Sequence, residues 1–177
     1  MTALIFIISA LSHVVIMVFL LRILLPLCRV DMRNPFSVAV LRFTNPLILP
    51  LRRILPAIGR VDTASWVTVL LIQLVSTFLI WTLNGITPHS PLLFLSASVR
   101  DLISLLLQFY LLVLMLYAVL SWMASTDYSP AASILRSLSN PVLKPFQRFI
   151  PRIAGLDLSV LFALIAIQAL QILIQSS

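Results

Sequence analysis

Asn45-Pro46-Leu47-Ile48-Leu49-Pro50-Leu51-Arg52-Arg53-Ile54-Leu55-Pro56 returns 95 residues later as Asn140-Pro141-Val142-Leu143-Lys144-Pro145-Phe146-Gln147-Arg148-Phe149-Ile150-Pro151. The same offset relates Asp62 to Asp157 and Pro35 to Pro130, so eight of the eleven prolines form two matched ladders. Self-similarity at a fixed spacing marks each half as one structural unit. The halves are expected at residues 1–86 and 99–177, with an external loop at 87–98 between them.

Long apolar runs flank each ladder. With 61% hydrophobic and 10% charged residues, the chain is far from soluble globular usage, in which about 25% of residues are charged. A bilayer core about 30 Å thick requires roughly 20 apolar helical residues. Four stretches meet that need: 3–25, 65–83, 102–123 and 158–174. Backbone groups in lipid must be satisfied within the segment, and the alternation of barrel strands is missing, so the predicted class is an all-α membrane protein. The first run is too long for a signal-peptide core and lacks a basic leader, which makes it a mature span. The single cysteine, Cys28, can form neither an internal disulfide nor a metal site alone.

The net charge of +7 follows membrane topology and does not suggest nucleic acid. Arg29, Arg33, Arg42, Arg52, Arg53 and Arg60 lie between the first two spans, and Arg136, Lys144, Arg148 and Arg152 between the last two. The stretch from Asn84 to Ser98 carries no basic residue. The positive-inside bias therefore puts the basic loops, 28–62 and 125–157, in the cytoplasm and both termini in the periplasm. Two spans separate equivalent positions, so the hairpins are parallel repeats, unlike the inverted repeats of many transporters.

Within these loops, Asn34-Pro35, Asn45-Pro46, Ser129-Pro130 and Asn140-Pro141 all read as helix starts, because proline suits the first helical position and asparagine or serine the cap before it. Two short helices per loop are the expectation. Ala131, Ile134, Leu135 and Leu138 share one helical face, with Ser133, Arg136, Ser137 and Ser139 opposite. In the following helices, Leu51, Ile54 and Leu55 oppose Arg53, as Phe146, Phe149 and Ile150 oppose Arg148. Such helices lie in the headgroup plane with arginines toward anionic lipid. Pro50, Pro56, Pro145 and Pro151 stiffen each loop into a plate. Gly59 and Gly155 serve the turn back into the bilayer, and Asp62 and Asp157 stand where the next spans begin.

Together, Leu21-Arg22-Ile23-Leu24, Asn34-Pro35-Phe36-Ser37 and the doubled Asn-Pro, Pro, Arg, Pro, Gly, Asp pattern resemble the YggT family, also called YlmG, over nearly the whole chain. Lys144 and Gln147 depart from the first copy's form. The resemblance implies a small bacterial inner-membrane protein with plastid relatives. It also implies links to cell division or nucleoid distribution, to osmotic tolerance, and to haem assembly of cytochrome b6 in chloroplasts.

Arg53 with Asp62 and Arg148 with Asp157 are the sharpest candidate pairs; arginine's planar fork favours phosphate or an acidic partner. The plain alternative is that the aspartates cap helices while the arginines fix topology. Arg22, near the cytoplasmic end of its span, is expected to snorkel to the interface, with burial against Asp62 or Asp157 as the alternative. His13 is expected to hydrogen-bond between helices, as are Gln73, Gln108, Gln168 and Gln171.

No Gly-rich phosphate loop, metal-ligand spacing or glutamate occurs, so no catalytic set, cofactor or metal is expected. Arg52, Arg53, Lys144, Arg148 and Arg152 are the candidate contacts for anionic lipid or a protein partner. The predicted role is a scaffold or assembly factor, with homo-oligomerisation open. The alternative is an oligomeric ion channel or transporter subunit.

Overall fold

Side-chain caps mark the starts of the two helices in the basic loops. Asn34 Oδ1 accepts the Phe36 amide at 3.0 Å and Ser129 Oγ accepts the Ala132 amide at 3.1 Å, which satisfies donors that a helix start leaves unpaired. The computed structural model describes residues 2–55, 62–87, 90–122, 129–148 and 157–176. Among them are the helices α1 Thr2–Leu27, α2 Pro35–Arg52, α3 Thr63–Leu83, α4 Pro91–Trp122, α5 Pro130–Gln147 and α6 Leu158–Ser176. The four helices α1, α3, α4 and α6 are long and apolar enough to cross a membrane. The described residues are all-helical, and these four helices are the candidate spans among them.

The helix bounds recur at the offset of the sequence motif. Pro35 and Pro130 open α2 and α5, Arg52 and Gln147 close them, and Thr63 and Leu158 open α3 and α6; each pair is 95 residues apart.

Two expectations are corrected. Each basic loop carries one 18-residue helix in its described part, not two short ones. Pro46 and Pro50 are inside α2, and Pro141 and Pro145 inside α5. Asn45-Pro46 and Asn140-Pro141 therefore continue helices. An interior proline removes one helical hydrogen bond and crowds the carbonyl four residues back, yet both helices continue through theirs.

The second correction concerns α4. It starts at Pro91, after the same serine-proline signature, so most of the expected loop 87–98 is helical. At 32 residues, α4 is about 48 Å long. A helix that exceeds the hydrocarbon thickness tilts or projects beyond it.

The chain divides into two compact units. One comprises Met1–Ile23 and Val40–Leu106, the other Leu24–Ala39 and Leu107–Ser177. The first packs Ile16, Phe19, Leu20 and Ile23 of α1 against Ile48, Ala64, Val69, Leu102 and Leu105. Phe94 meets Phe78 and Trp81 edge-on, at 6.4 and 5.6 Å between ring centroids, where α4 returns beside α3. The second unit packs Leu114 against Leu143, Val160, Ala163 and Ile167. Because lipid tails are as apolar as leucine, these contacts stabilise through close packing and not through removal of water.

Several polar groups inside the spans bond within their own helix. Gln73 donates to Thr77 Oγ1 at 3.1 Å, four residues along its own helix and not across to another as expected. His13 makes no hydrogen bond among the described residues.

Candidate functional site

Arg22 is one of the most deeply buried charges described. It is 4% exposed, which replaces the snorkelling expectation. One nitrogen, Nη1, donates to Thr44 Oγ1 at 2.6 Å, Asn45 Oδ1 at 2.8 Å and the Leu41 carbonyl at 3.2 Å. All three acceptors belong to α2 around its first interior proline. The guanidinium thus ties α1 to the proline-interrupted segment of α2. Thr44 Oγ1 in turn donates to the Val40 carbonyl at 2.7 Å.

The other edge of Arg22 faces Asp62, with Nε 3.9 Å from Oδ2. Asp62 also accepts from Arg52 Nη2 at 2.6 Å and from Ser65 Oγ at 2.8 Å. Burial pushes the Asp62 carboxyl upward. The bonds from Arg52 and Ser65 and the charges of Arg52 and Arg22 outweigh it and hold the group below the ordinary carboxylate range. Asp62 is ionised at neutral pH and is the hub on which two arginines converge.

The second unit repeats the frame with glutamine in place of Arg52. Gln147, 95 residues after Arg52, donates to Asp157 Oδ2 at 2.9 Å. Asp157 Oδ1 accepts the Ser159 amide at 3.2 Å and the Ser159 hydroxyl. Tyr117 stands where the first copy has Arg22, and Ser139 where it has Thr44. Ser139 Oγ is buried with no partner, and Asn140 is exposed. The carboxylate-to-helix-end bond recurs, while the arginine that braces the preceding span in the first unit is a tyrosine in the second.

The candidate pairing is thereby moved by one residue. Arg52, not Arg53, reaches Asp62, and Gln147, not Arg148, bonds Asp157. Arg53, Lys144 and Arg148 are exposed, as is Arg52 in part. Pro56, Gly59, Pro151, Arg152 and Gly155 lie outside the described residues, as do Arg60, Asp127 and His89. Thr44 and Ser65 were missed by the sequence reading, and their signal was available: both are small hydroxyl residues near the duplicated asparagine and aspartate.

Asn34 joins the two basic helices inside the second unit. Besides capping α2, its Nδ2 donates to the Pro130 carbonyl at 2.7 Å and to Ser133 Oγ at 3.0 Å, at the first turn of α5. It is 8% exposed. Asn34 and Ser129 are themselves 95 residues apart, so the capping residue of one helix binds beside that of the other.

No group of three histidine, cysteine or acidic side chains able to hold a metal occurs among the described residues. The arrangement can brace helices and present guanidinium groups outward.

A family model described as CCB3/YggT matches residues 1–83 and 96–177. The uncharacterized protein PA0392 of Pseudomonas aeruginosa is 38% identical over 190 residues, which cover 98% of this chain and 88% of the relative. An uncharacterized protein encoded in the proC 3' region of Vibrio alginolyticus is 37% identical, over 95% of this chain and 91% of its own length. The uncharacterized protein YggT of Escherichia coli strain K12 is 32% identical, over 90% of this chain and 82% of its own length. No solved structure matches the chain.

Proposed function

The chain belongs to the CCB3/YggT family, and we propose that it is a non-catalytic scaffold of the bacterial inner membrane that holds anionic lipid or an acidic partner against two duplicated basic helices. The supporting observation is the matched ending of α2 and α5. Each carries exposed cations at its C-terminal end, Arg52 and Arg53 in one, Lys144 and Arg148 in the other, and each is tethered to the start of the next span through its aspartate. A tether of this kind fixes the height of the basic end relative to the membrane. Cations near an anionic leaflet are attracted by about 1 kcal/mol each.

The distribution of positive charge orients both helices toward the cytoplasm and both termini toward the periplasm. In α5, Ala132, Ile134, Leu138 and Leu143 are buried while Ser133, Arg136 and Lys144 are exposed, which suits a helix lying along a leaflet. The family links to cell division and to cytochrome assembly are compatible with a protein whose work is to position others.

Replacing Arg52, Arg53, Arg148 and Arg152 together by glutamine tests the reading. Glutamine already fills the Arg52 role at Gln147, so the tether to Asp62 persists in the variant. The preference of the reconstituted protein for spin-labelled phosphatidylglycerol over phosphatidylcholine is expected to fall by about fivefold or more. An unchanged preference, together with unchanged crosslinking to protein neighbours in cells, rejects it.

A further inference from the structure

We propose that the first unit carries an intramembrane docking surface for a second copy of this chain, on which Arg100 of each copy meets the partner's Asp101. Arg100, Asp101 and His13 are all exposed, and all belong to the first unit. His13 and Arg100 both act electrostatically on Asp101, so the three form one cluster on α1 and α4. Among the described residues none of the three makes a hydrogen bond or an ion pair.

Their depth makes that exposure costly. Phe94 packs edge-on against Phe78 and Trp81, close to the end of α3 at Leu83. Asp101 follows seven residues later on α4, about 10 Å farther into the membrane. With its 21 residues, α3 is about 31 Å long, so this level is well inside a hydrocarbon layer of about 30 Å. His13 is near the middle of the 26-residue α1. Ionisable side chains at such depth pair with one another or face a bundle interior, because hydrocarbon solvates charge poorly. A long arginine chain can climb toward the headgroups, whereas aspartate is too short to follow. The Asp101 carboxylate therefore needs a cation at its own level.

A second copy fits because the patch complements itself. Arg100 and Asp101 are adjacent and opposite in charge, so a two-fold axis along the membrane normal sets each arginine against the partner's Asp101 at almost the same depth. Two such pairs make a closed, isologous contact. Ala97, four residues before Asp101, and Ser104, three after it, are small residues on the same side of α4 and let two backbones approach closely. The surface uses none of the basic residues at the ends of α2 and α5 and stands independently of the role proposed for them.

Oxidative crosslinking in native membranes tests this, with the full-length protein carrying Cys28→Ser and Ala97→Cys. With Arg100 and Asp101 intact, a disulfide-linked dimer is expected. Arg100→Asp or Asp101→Arg alone sets like charges against each other and lowers the dimer yield about tenfold. Co-expressing these two variants with different tags restores opposite charges across both halves of the contact. The mixed pair is expected to crosslink at close to the original yield, which a misfolded variant cannot do. Absence of a dimer with both charges intact, a crosslink to a different membrane protein in its place, an undiminished yield from either single variant, or no recovery in the mixed pair overturns the proposal.

Discussion

Replacing Arg22 by methionine is expected to destabilise the protein by about 3–5 kcal/mol, because Thr44, Asn45 and the Leu41 carbonyl all lose a charged donor and a hydrogen bond to a charged group contributes about 1.5–3 kcal/mol. Arg22 has no access to solvent that would soften the loss, since it is 4% exposed. Its removal leaves Thr44, Asn45 and the Leu41 carbonyl without their donor and leaves Asp62 with Arg52 as its remaining cation. These acceptors flank Pro46, where α2 already lacks a backbone donor. The brace and the proline interruption therefore fail together. Arg22→Lys keeps the charge but loses the planar fork that reaches α2 and Asp62 at once, and should fall between the two. Thermal unfolding in mild detergent, followed by circular dichroism, measures the effect. Adding Asp62→Leu to Arg22→Met should deepen the loss, because Asp62 keeps Arg52 and Ser65 as partners when Arg22 is gone. A loss below about 1 kcal/mol for Arg22→Met would mean that the guanidinium is snorkelling as an exposed ion does.

Asn34→Ala is expected to cost about 2–3 kcal/mol, the sum of a lost helix cap and a lost buried hydrogen-bonded link. The side chain does both jobs with different atoms. Oδ1 caps α2, while Nδ2 holds the first turn of α5. Asn34→Asp separates them: aspartate caps as well as asparagine does, yet it has no amide hydrogen and turns a carboxylate oxygen toward the Pro130 carbonyl. If the link to α5 matters as the geometry indicates, Asn34→Asp should be nearly as damaging as Asn34→Ala in the same unfolding measurement. Wild-type stability in Asn34→Asp would assign the whole effect to the cap.

The four spans and the places where α2 and α5 begin were legible because they depend on local chemistry. Twenty apolar residues and a Ser-Pro or Asn-Pro cap act within one or two turns. Asn45-Pro46 and Asn140-Pro141 misled because the same dipeptide that starts a helix can also sit inside one. Arg22, 23 residues away from Asn45, bonds the first of them, and no local pattern announces that contact. The start of α4 was hidden by Arg100 and Asp101, which divide its apolar run and moved the expected span to Leu102. Asp62 was singled out, but its partner was displaced from Arg52 to Arg53, since a face drawn from helical periodicity cannot tell which neighbour reaches across a turn. The comparison of copies contains the better clue: Arg52 and Gln147 can both donate to a carboxylate, and both do. Conversely, the replacement of Arg22 by Tyr117 in the second copy is plain in the sequence, while its consequence, a buried Ser139 hydroxyl without a partner, needed the packing.

The central claim is that both basic helix ends face the same side of the membrane. Membrane-impermeant thiol labelling measures it most directly, in a Cys28→Ser background with single cysteines placed at Arg53, Arg148 and, as the opposite-side reference, Ile86. The account predicts that positions 53 and 148 are modified from the cytoplasmic side alone and position 86 from the periplasm alone. Labelling of 53 and 148 from opposite sides would contradict the parallel arrangement of the two hairpins and, with it, the proposed basic surface.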